Sequence, residues 1–452
     1  MQKCDGHAYM MKGVTQKGIP MGEPPGGETP NSELVASYGK LLRLVRSGQA
    51  QTRPALSEWT GLGRTAVTQR ITTLLNAGLL EEGELNPSTG GRQARTLRFR
   101  KDAGRILTAE LGATSFIAGI TDLAGTVLAV AHCDCDIAAG PENVLDEVEA
   151  TLDKLWSEHG EEDLGIWGVG LGLPGPVEFA TGRPSEPPIM PGWNNYPVRD
   201  RLGAKYRAPV WVDNEVNLLC LGELRDPAAR GHEHGGDLLY VKIGTGIGAG
   251  ISNGGSLHRG AQGCAGDIGH AAVADEGPAG EVVCRCGKTG CLEALAGGSA
   301  LARDGEELAR TGQSEALARV LAETGRITAA DVTAAARSGD HQAVRLLVAA
   351  GKRIGSMLAT MVNFYNPSTI LLGGKIAGAG DLFLATIRET IYRRSLPLST
   401  RELRIDKARL GEEGGLIGAA HMVLDELFDP EFFARWLPDG SPAGRPELLA
   451  AV

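Results

Sequence analysis

Strand-like and helix-like segments alternate twice along the chain after Arg105, and this pattern restricts the fold more than any other feature of the sequence. The first unit has apolar strand-like segments at residues 106–110, 116–121, 127–131 and 167–173, with a helix-like segment at 144–157. A second unit of the same kind begins at Leu238. Strands that alternate with helices form a mixed or parallel sheet, with functional residues at the strand ends. The sequence therefore predicts an α/β protein.

The charges of the chain are divided unevenly between two regions. Residues 31–101 contain eleven Lys and Arg against five Asp and Glu, whereas residues 102–452 contain 31 against 47. Since single cores stop growing near ~250–300 residues, a length of 452 residues predicts two or three domains. A basic region joined to an acidic one is expected when only the basic domain meets a polyanion.

Two helices joined by a glycine-containing turn are predicted inside the basic region. Thr52 and Pro54 are a capping residue and a first-turn proline, so a short helix follows and breaks at residues 60–63. A further helix is predicted at 64–76, because apolar residues recur there at helical spacing. This is the helix-turn-helix arrangement, and the β-like segments that follow, ending in several arginines, predict a basic wing.

The polar face of the helix at 64–76 carries hydroxyls, an amide and a guanidinium, which suit DNA phosphates and base edges. The alternative is a small helical protein-binding module with a solvated basic edge. Charge, turn and wing together favour DNA binding. The residues expected to contact double-stranded operator DNA are Arg64, Thr65, Thr68, Gln69, Thr72 and, in the wing, Arg92.

Three cysteines inside eight residues, in the sequence CRCGKTGC, predict a metal site together with a histidine that precedes them. One imidazole nitrogen and three thiolates complete a closed tetrahedral Zn²⁺ site, which leaves no position for water and is therefore structural. The alternative, reduced core cysteines, fits poorly because Gly and charged residues surround them. The expected ligands are His270, Cys284, Cys286 and Cys291.

A glycine-rich segment, GTGIGAG, begins at Gly244 between two predicted strands. A loop of this kind can direct backbone N–H groups at a phosphate. By itself it is equally compatible with a plain tight hairpin, so both interpretations stay open.

Several motifs together resemble the ROK family of sugar-linked repressors, open reading frames and kinases, over residues 34–427. The segment from Gly269 to Ala294 is similar to the zinc motif of the family and GTGIGAG to its second phosphate loop. ELGATSFIAGITDLAG from Glu110 resembles the first phosphate loop, and LLGGKI from Leu371 the adenosine-side motif. The phosphate-loop and nucleotide positions that the resemblance implies are Gly112, Thr114, Gly244, Thr245, Gly246, Gly373 and Gly374.

The resemblance implies an α/β fold of two actin-like (ribonuclease H-like) lobes around a cleft. In the repressor branch, of the xylose and N-acetylglucosamine repressor type, an α+β winged helix-turn-helix domain precedes the lobes. The expected division is a disordered leader at 1–30, the winged helix at 31–101, the two lobes at 102–427 with zinc in the second, and a surface tail at 428–452. Phe432, Phe433 and Trp436 of this tail could alternatively dock on a neighbouring surface.

Two carboxylates depart from the pattern of the family's sugar kinases. Glu215 stands at the position of the general-base Asp, and Glu110 at the Asp that begins the first phosphate loop. Each change moves the carboxylate by ~1 Å, enough to cost about 10²-fold in a reaction that depends on positioning. We therefore do not expect ATP with Mg²⁺ to serve as a cofactor, although residual kinase activity stays possible.

The positions that resemble the sugar contacts of the family are better preserved. Asp267 replaces the Glu that usually lies three residues before the histidine, so the longer Glu215 and the shorter Asp267 are interpreted as a compensating pair. The alternative is a polar set that only solvent or the core satisfies. The expected sugar-binding residues are Gly182, Arg183, Asn214, Glu215, Asp267, His270 and Glu293.

These features predict a cytoplasmic, sugar-responsive transcriptional repressor that binds operator DNA as a homodimer or homotetramer. The cytoplasm is expected because no segment resembles a signal peptide or a membrane span. One alternative is an ATP-dependent, glucokinase-like sugar kinase with a DNA-binding appendage. Another is a DNA-bound architectural protein without a small ligand.

Overall fold

In the described part of the N-terminal region, three helices are followed by two strands that pair antiparallel. The computed structural model describes residues 32–85, 95–161, 163–226, 236–273 and 282–449, so the expected leader lies outside the described residues. Thr52 accepts a hydrogen bond from the Ala55 N–H and begins the second helix, which ends at Gly61 with a φ of 74°. The elements are α1 (Ser32–Arg46), α2 (Arg53–Thr60), α3 (Arg64–Asn76), β1 (Leu80–Leu85) and β2 (Arg95–Phe99).

A first five-stranded sheet follows, in the order β5-β4-β3-β6-β9. The β5-β4 and β4-β3 pairs are antiparallel, and the β3-β6 and β6-β9 pairs are parallel. The strands of this sheet are β3 (Arg105–Leu111), β4 (Ser115–Thr121), β5 (Val127–Asp134), β6 (Ile166–Leu173) and β9 (Val210–Asn214). The short strands β7 (Val177–Glu178) and β8 (Arg183–Pro184) pair with each other in a separate antiparallel sheet. The helices of this part are α4 (Pro141–His159), α5 (Val198–Tyr206) and α6 (Glu215–Arg225).

A second five-stranded sheet, in the order β12-β11-β10-β13-β14, repeats the same sequence of two antiparallel and two parallel pairs. This confirms the α/β fold with two related lobes. Its strands are β10 (Leu238–Ile243), β11 (Ile247–Asn253), β12 (Ser256–Leu257), β13 (Thr369–Gly373) and β14 (Arg404–Lys407). The helices that follow β12 along the chain are α7 (Leu292–Ala296), α8 (Gly298–Arg310), α9 (Glu315–Thr324), α10 (Ala329–Arg337), α11 (His341–Tyr365), α12 (Asp381–Arg394), α13 (Pro397–Thr400), α14 (Gly414–Leu427) and α15 (Pro430–Trp436).

Helices α6 and α14 pack against each other and join the two sheets. Glycines allow their backbones to approach closely: a Cβ on Gly418 would lie 1.8 Å from the Leu218 carbonyl oxygen, and one on Gly222 would lie 2.3 Å from the Gly414 carbonyl oxygen. Helix α14 lies on the first sheet, and α6 lies against β10 and β11 of the second. This pair of helices therefore fixes the two walls of the cleft described below.

The C-terminal segment (residues 428–449) is not the surface tail that the sequence predicted. Phe433 and Trp436 of α15 are completely buried, in a core shared with the N-terminal region and the first sheet. Trp436 packs edge-on against Trp167 with ring centroids 5.3 Å apart, and Phe428 contacts Phe99 of β2 at 6.0 Å. The prediction failed because helical spacing shows that these aromatic side chains share a face but does not show which surface covers that face.

Within the described residues, no helix is both long enough and apolar enough to cross a lipid bilayer.

Candidate functional site

A cleft of about 1020 Å³ lies between the two sheets. Its first wall includes Glu110 of β3 and the turn from Asn214 to Glu215, where β9 ends and α6 begins. Its second wall includes Lys242 of β10 and the loop from Gly244 to Gly246. A cavity of this size with a few polar groups is typical of a small-ligand site.

Most of the sugar-binding and nucleotide-loop residues predicted from the sequence line this cleft. Two do not: Gly182 and Arg183 lie outside it, because the Arg183 guanidinium donates to the Asn195 carbonyl at 3.0 Å and pairs with Asp200 at 3.3 Å. The predicted residues that the structure brings together are Gly112, Thr114, Asn214, Glu215, Gly244, Thr245, Gly246, Asp267, His270, Glu293, Gly373 and Gly374.

Three charged side chains form a cluster in the wall of the cleft. Lys242 Nζ lies 2.5 Å from Glu215 Oε2 and 3.3 Å from Glu110 Oε1. Burial raises the pKa of Glu110 to about 7, although Lys242 lowers it, and Glu215 adds to the rise. Burial alone would lower the pKa of Lys242, but Glu215 and Glu110 raise it above its ordinary value, so the ammonium stays charged.

Lys242 was not among the site residues predicted from the sequence. A signal was available, because it is the one charged residue in the strand LLYVKI, which is otherwise apolar apart from the Tyr hydroxyl. A charge in such a strand is costly unless a partner neutralises it. The sequence did not show that its partners are Glu110 and Glu215.

Asn214 has a structural role besides its place in the cleft. Its side-chain oxygen accepts from the Val216 N–H at 2.8 Å and caps α6, and its amide donates to the Gly175 carbonyl at 2.9 Å. The neighbouring Asp213 is buried and paired with Arg259 at 2.7 Å. Glu215, and not Asp213, is therefore the carboxylate of this turn that lines the cleft.

Glu293 is held by the glycine-rich loop. Its Oε2 accepts a hydrogen bond from the Ile247 N–H at 3.2 Å, and a Cβ on Gly246 would lie only 2.2 Å from the same oxygen. One N–H group near the turn of this loop is therefore satisfied by a carboxylate of the chain itself. Gly246 is required because a side chain would displace Glu293.

The four predicted metal ligands converge beside the cleft. The ligand atoms of His270, Cys284, Cys286 and Cys291 all lie within 4.8 Å of one another, so the group could hold a metal ion. His270 Nδ1 is 3.5 Å from the Cys284 sulfur, and the sulfurs of Cys286 and Cys291 are 3.7 Å apart. His270 and Cys286 also line the cleft, which places this group of four side chains at its wall.

The predicted DNA-contacting face of α3 is exposed in the structure. Val67, Ile71 and Leu74 are completely buried on the opposite face, so the polar residues point outward. Arg92 lies outside the described residues. The five exposed residues of this face are Arg64, Thr65, Thr68, Gln69 and Thr72.

The fold and cleft together define an actin-like α/β protein of the class that contains sugar kinases and related repressors. The sequence model of the ROK family matches residues 106–426, and the chain therefore belongs to the ROK family.

Relatives of two kinds match different shares of the chain. The xylose repressor of Caldicellulosiruptor bescii is 29 % identical over 409 residues, which cover 89 % of this chain and 99 % of the repressor. A glucokinase of Halalkalibacterium halodurans is 32 % identical over 314 residues, which cover 70 % of this chain and 93 % of the kinase. Residues 102–452 make up less than four fifths of the chain, whereas the repressor match covers 89 % of it. The match therefore includes part of the N-terminal region.

A solved structure of a ROK family transcriptional regulator, a homologue of the Escherichia coli Mlc protein, superposes with a TM-score of 0.75. It is 24 % identical and covers 90 % of this chain and 100 % of its own, which supports the fold.

Proposed function

We propose that this protein is a sugar-responsive transcriptional repressor, with operator DNA bound by the N-terminal region and a sugar bound in the cleft. The observation that carries the proposal is the exposed polar face of α3, in a basic region joined to a kinase-like body. The xylose repressor of C. bescii matches nearly its whole length to this chain. The glucokinase of H. halodurans matches only 70 % of it.

The N-terminal region is suited to the DNA backbone at the start of α3. Gly63 is the residue before this helix, and because it has no side chain it cannot cap the first N–H groups of the helix. These groups, together with the exposed Arg64, form an anion site that suits a phosphate. Thr68 and Gln69, one turn further on, would then face the bases of the major groove. We assign Arg92 of the predicted wing to a backbone contact.

The cleft offers hydrogen-bonding groups of the kind that recognise a polyol. Glu215, Asp267, His270 and Glu293 bring carboxylate and imidazole groups to its walls, and Asn214 adds an amide. We keep the compensating pair of Glu215 and Asp267 as part of the proposal. Replacing Glu215 with Asp should weaken sugar binding in calorimetry, and unchanged or tighter binding would contradict the pairing.

We propose structural zinc as the metal of the four-ligand cluster. Zn–S bonds of about 2.3 Å imply sulfur-to-sulfur distances of about 3.8 Å in a tetrahedron, and the sulfurs of Cys286 and Cys291 lie 3.7 Å apart. Three thiolates and one imidazole leave no position for a reacting water. The bound ion would cross-link the loop and fix the orientation of His270 in the cleft wall.

Regulation requires that the sugar and the DNA influence each other's binding. We propose that a homodimer or homotetramer presents two α3 helices to a two-fold operator. Closure of the cleft around a sugar would change their spacing. The coupling between two such sites is usually about 1–3 kcal/mol, or about 5- to 150-fold in affinity, and it must be reciprocal.

The test is a fluorescence-anisotropy titration of a selected operator fragment, with and without each member of a sugar panel that includes xylose and glucose. One sugar should change the operator affinity at least about 5-fold, whereas a matched non-operator duplex should show no such change. If no sugar of the panel changes the operator affinity, the architectural alternative is favoured. ATP turnover above ~1 s⁻¹ in a coupled assay with the same sugars would favour the kinase alternative.

A further inference from the structure

Lys242 joins the two walls of the cleft electrostatically. It lies on β10 of the second sheet, in register with Gly248 of β11 and Gly373 of β13. Its ammonium contacts Glu110 of the first sheet and Glu215 at the start of α6. Two carboxyl groups of the first wall therefore meet at a single ammonium group.

We propose that Lys242 determines which ligands the cleft accepts, because its ammonium serves as a built-in cation where a metal–nucleotide would need a divalent ion. Mg²⁺ is bound by carboxylate oxygens at about 2.0–2.1 Å and requires open positions around them. The ammonium lies in the space between the two carboxylates and neutralises part of their charge. The cleft is thereby left to an uncharged polyol.

The surrounding structure holds both carboxylates toward Lys242. A Cβ on Gly415 would lie 1.8 Å from Glu110 Oε2, so this glycine at the start of α14 leaves the space that Glu110 occupies. Glu215 is the first residue of α6, and the Asn214 cap fixes the backbone there. The cluster is therefore formed by the fold and does not depend on one flexible side chain.

The glycine-rich loop supports the same conclusion. A Cβ on Gly244 would lie 3.9 Å from Lys242 Cε, which places the lysine side chain beside the loop that resembles a phosphate loop. Because the ammonium of this lysine lies between Glu110 and Glu215, the residues present do not fit the divalent ion of a metal–nucleotide.

The inference rests on the proposed function only in naming a polyol as the accepted ligand. Its test uses the full-length, zinc-loaded protein and Mn²⁺ as the probe, with free Mn²⁺ measured by electron paramagnetic resonance. The wild-type protein should show no Mn²⁺ site that depends on Glu110. The Lys242→Met variant keeps the aliphatic side chain but removes the charge, and it should bind one Mn²⁺ at least 10-fold more tightly than the wild type.

Matched variants identify the site of any gained metal. The double variant Lys242→Met with Glu110→Gln should lose the gained Mn²⁺. Lys375→Met removes an exposed lysine that also lines the cleft, and it should behave as the wild type. Lys242→Arg retains the positive charge and should gain no metal.

Several outcomes would overturn the inference. One such outcome is that the wild-type protein binds Mn²⁺ and that the Glu110→Gln variant does not. This comparison does not require any Lys242 variant to fold. Another is a folded Lys242→Met protein that gains no site. A thermal-shift screen of the wild-type protein with sugars separates the two proposals. If a sugar stabilises the wild type but Lys242→Met gains no metal, only the role of Lys242 is refuted. If Lys242→Met gains the metal but no sugar stabilises the wild type, only the sugar-sensing function is refuted.

Discussion

Replacing Trp436 with Ala tests whether the C-terminal segment belongs to the core shared by the N-terminal region and the first sheet. The indole is completely buried and its Nε1 donates to the Leu427 carbonyl at 3.0 Å. It also packs against Trp167, Phe428 and Phe433, with ring centroids 5.3, 5.7 and 4.9 Å apart. The substitution therefore removes aromatic packing and leaves a cavity and an unpaired carbonyl.

The expected loss of unfolding free energy follows from these contacts. Truncating a buried aromatic residue to Ala costs about 3–5 kcal/mol, and each aromatic pair adds about 0.5–1.5 kcal/mol beyond its buried area. These terms are not additive, so we expect a loss near the upper end, about 5 kcal/mol. That is a large part of the 5–15 kcal/mol that stabilises a typical domain.

The assay is urea unfolding followed by circular dichroism, with the midpoint and slope compared for each transition. The matched control is Trp59→Ala, since Trp59 of α2 is 56 % exposed and should change stability by no more than about 0.5 kcal/mol. Equal effects of the two substitutions would refute the placement of the C-terminal segment. The Trp436→Ala substitution could also destabilise only a transition in which strands β1 and β2 stay protected from hydrogen exchange. That result would refute the shared core.

Three further predictions follow from the site residues. Because burial raises the pKa of Glu110 from 4.5 to about 7, the folded state holds the proton of this carboxyl group more tightly than the unfolded chain does. The resulting contribution to the free energy of unfolding is complete below pH 4.5 and is lost as the pH rises through 7, by at most about 3 kcal/mol. Urea midpoints measured across this pH range should show the loss in the wild type and not in Glu110→Gln. Cys291→Ser should release the metal and lower the melting temperature, as a chelator does, whereas substitution of the exposed Cys264, outside the cluster, should not; metal content by mass spectrometry checks this. Arg64→Ala should weaken operator binding and reduce the slope of log affinity against log salt concentration by about 1. Arg326→Ala, in an exposed loop, is the control and should leave the slope unchanged. An unchanged slope in Arg64→Ala would contradict a phosphate contact.

Features encoded by short spacing were predictable from the sequence. The three cysteines lie within eight residues, so a loop that brings them together needs few long-range contacts. The exposed face of α3 follows from helical periodicity, and the two sheets from the repeated alternation of segments. For the cysteines and for α3, the residues that act together are neighbours along one loop or one helix.

Features that depend on distant elements were decided only by the tertiary structure. Lys242 meets Glu110 because β10 and β3 face the same cleft, although the two residues are 132 positions apart. Arg183 was predicted to contact the sugar, but it pairs with Asp200 at the start of α5 instead. The α15 aromatics are buried because α15 packs on α1 and the first sheet. Periodicity determines which side chains share a face, but strand order and helix packing determine what that face contacts.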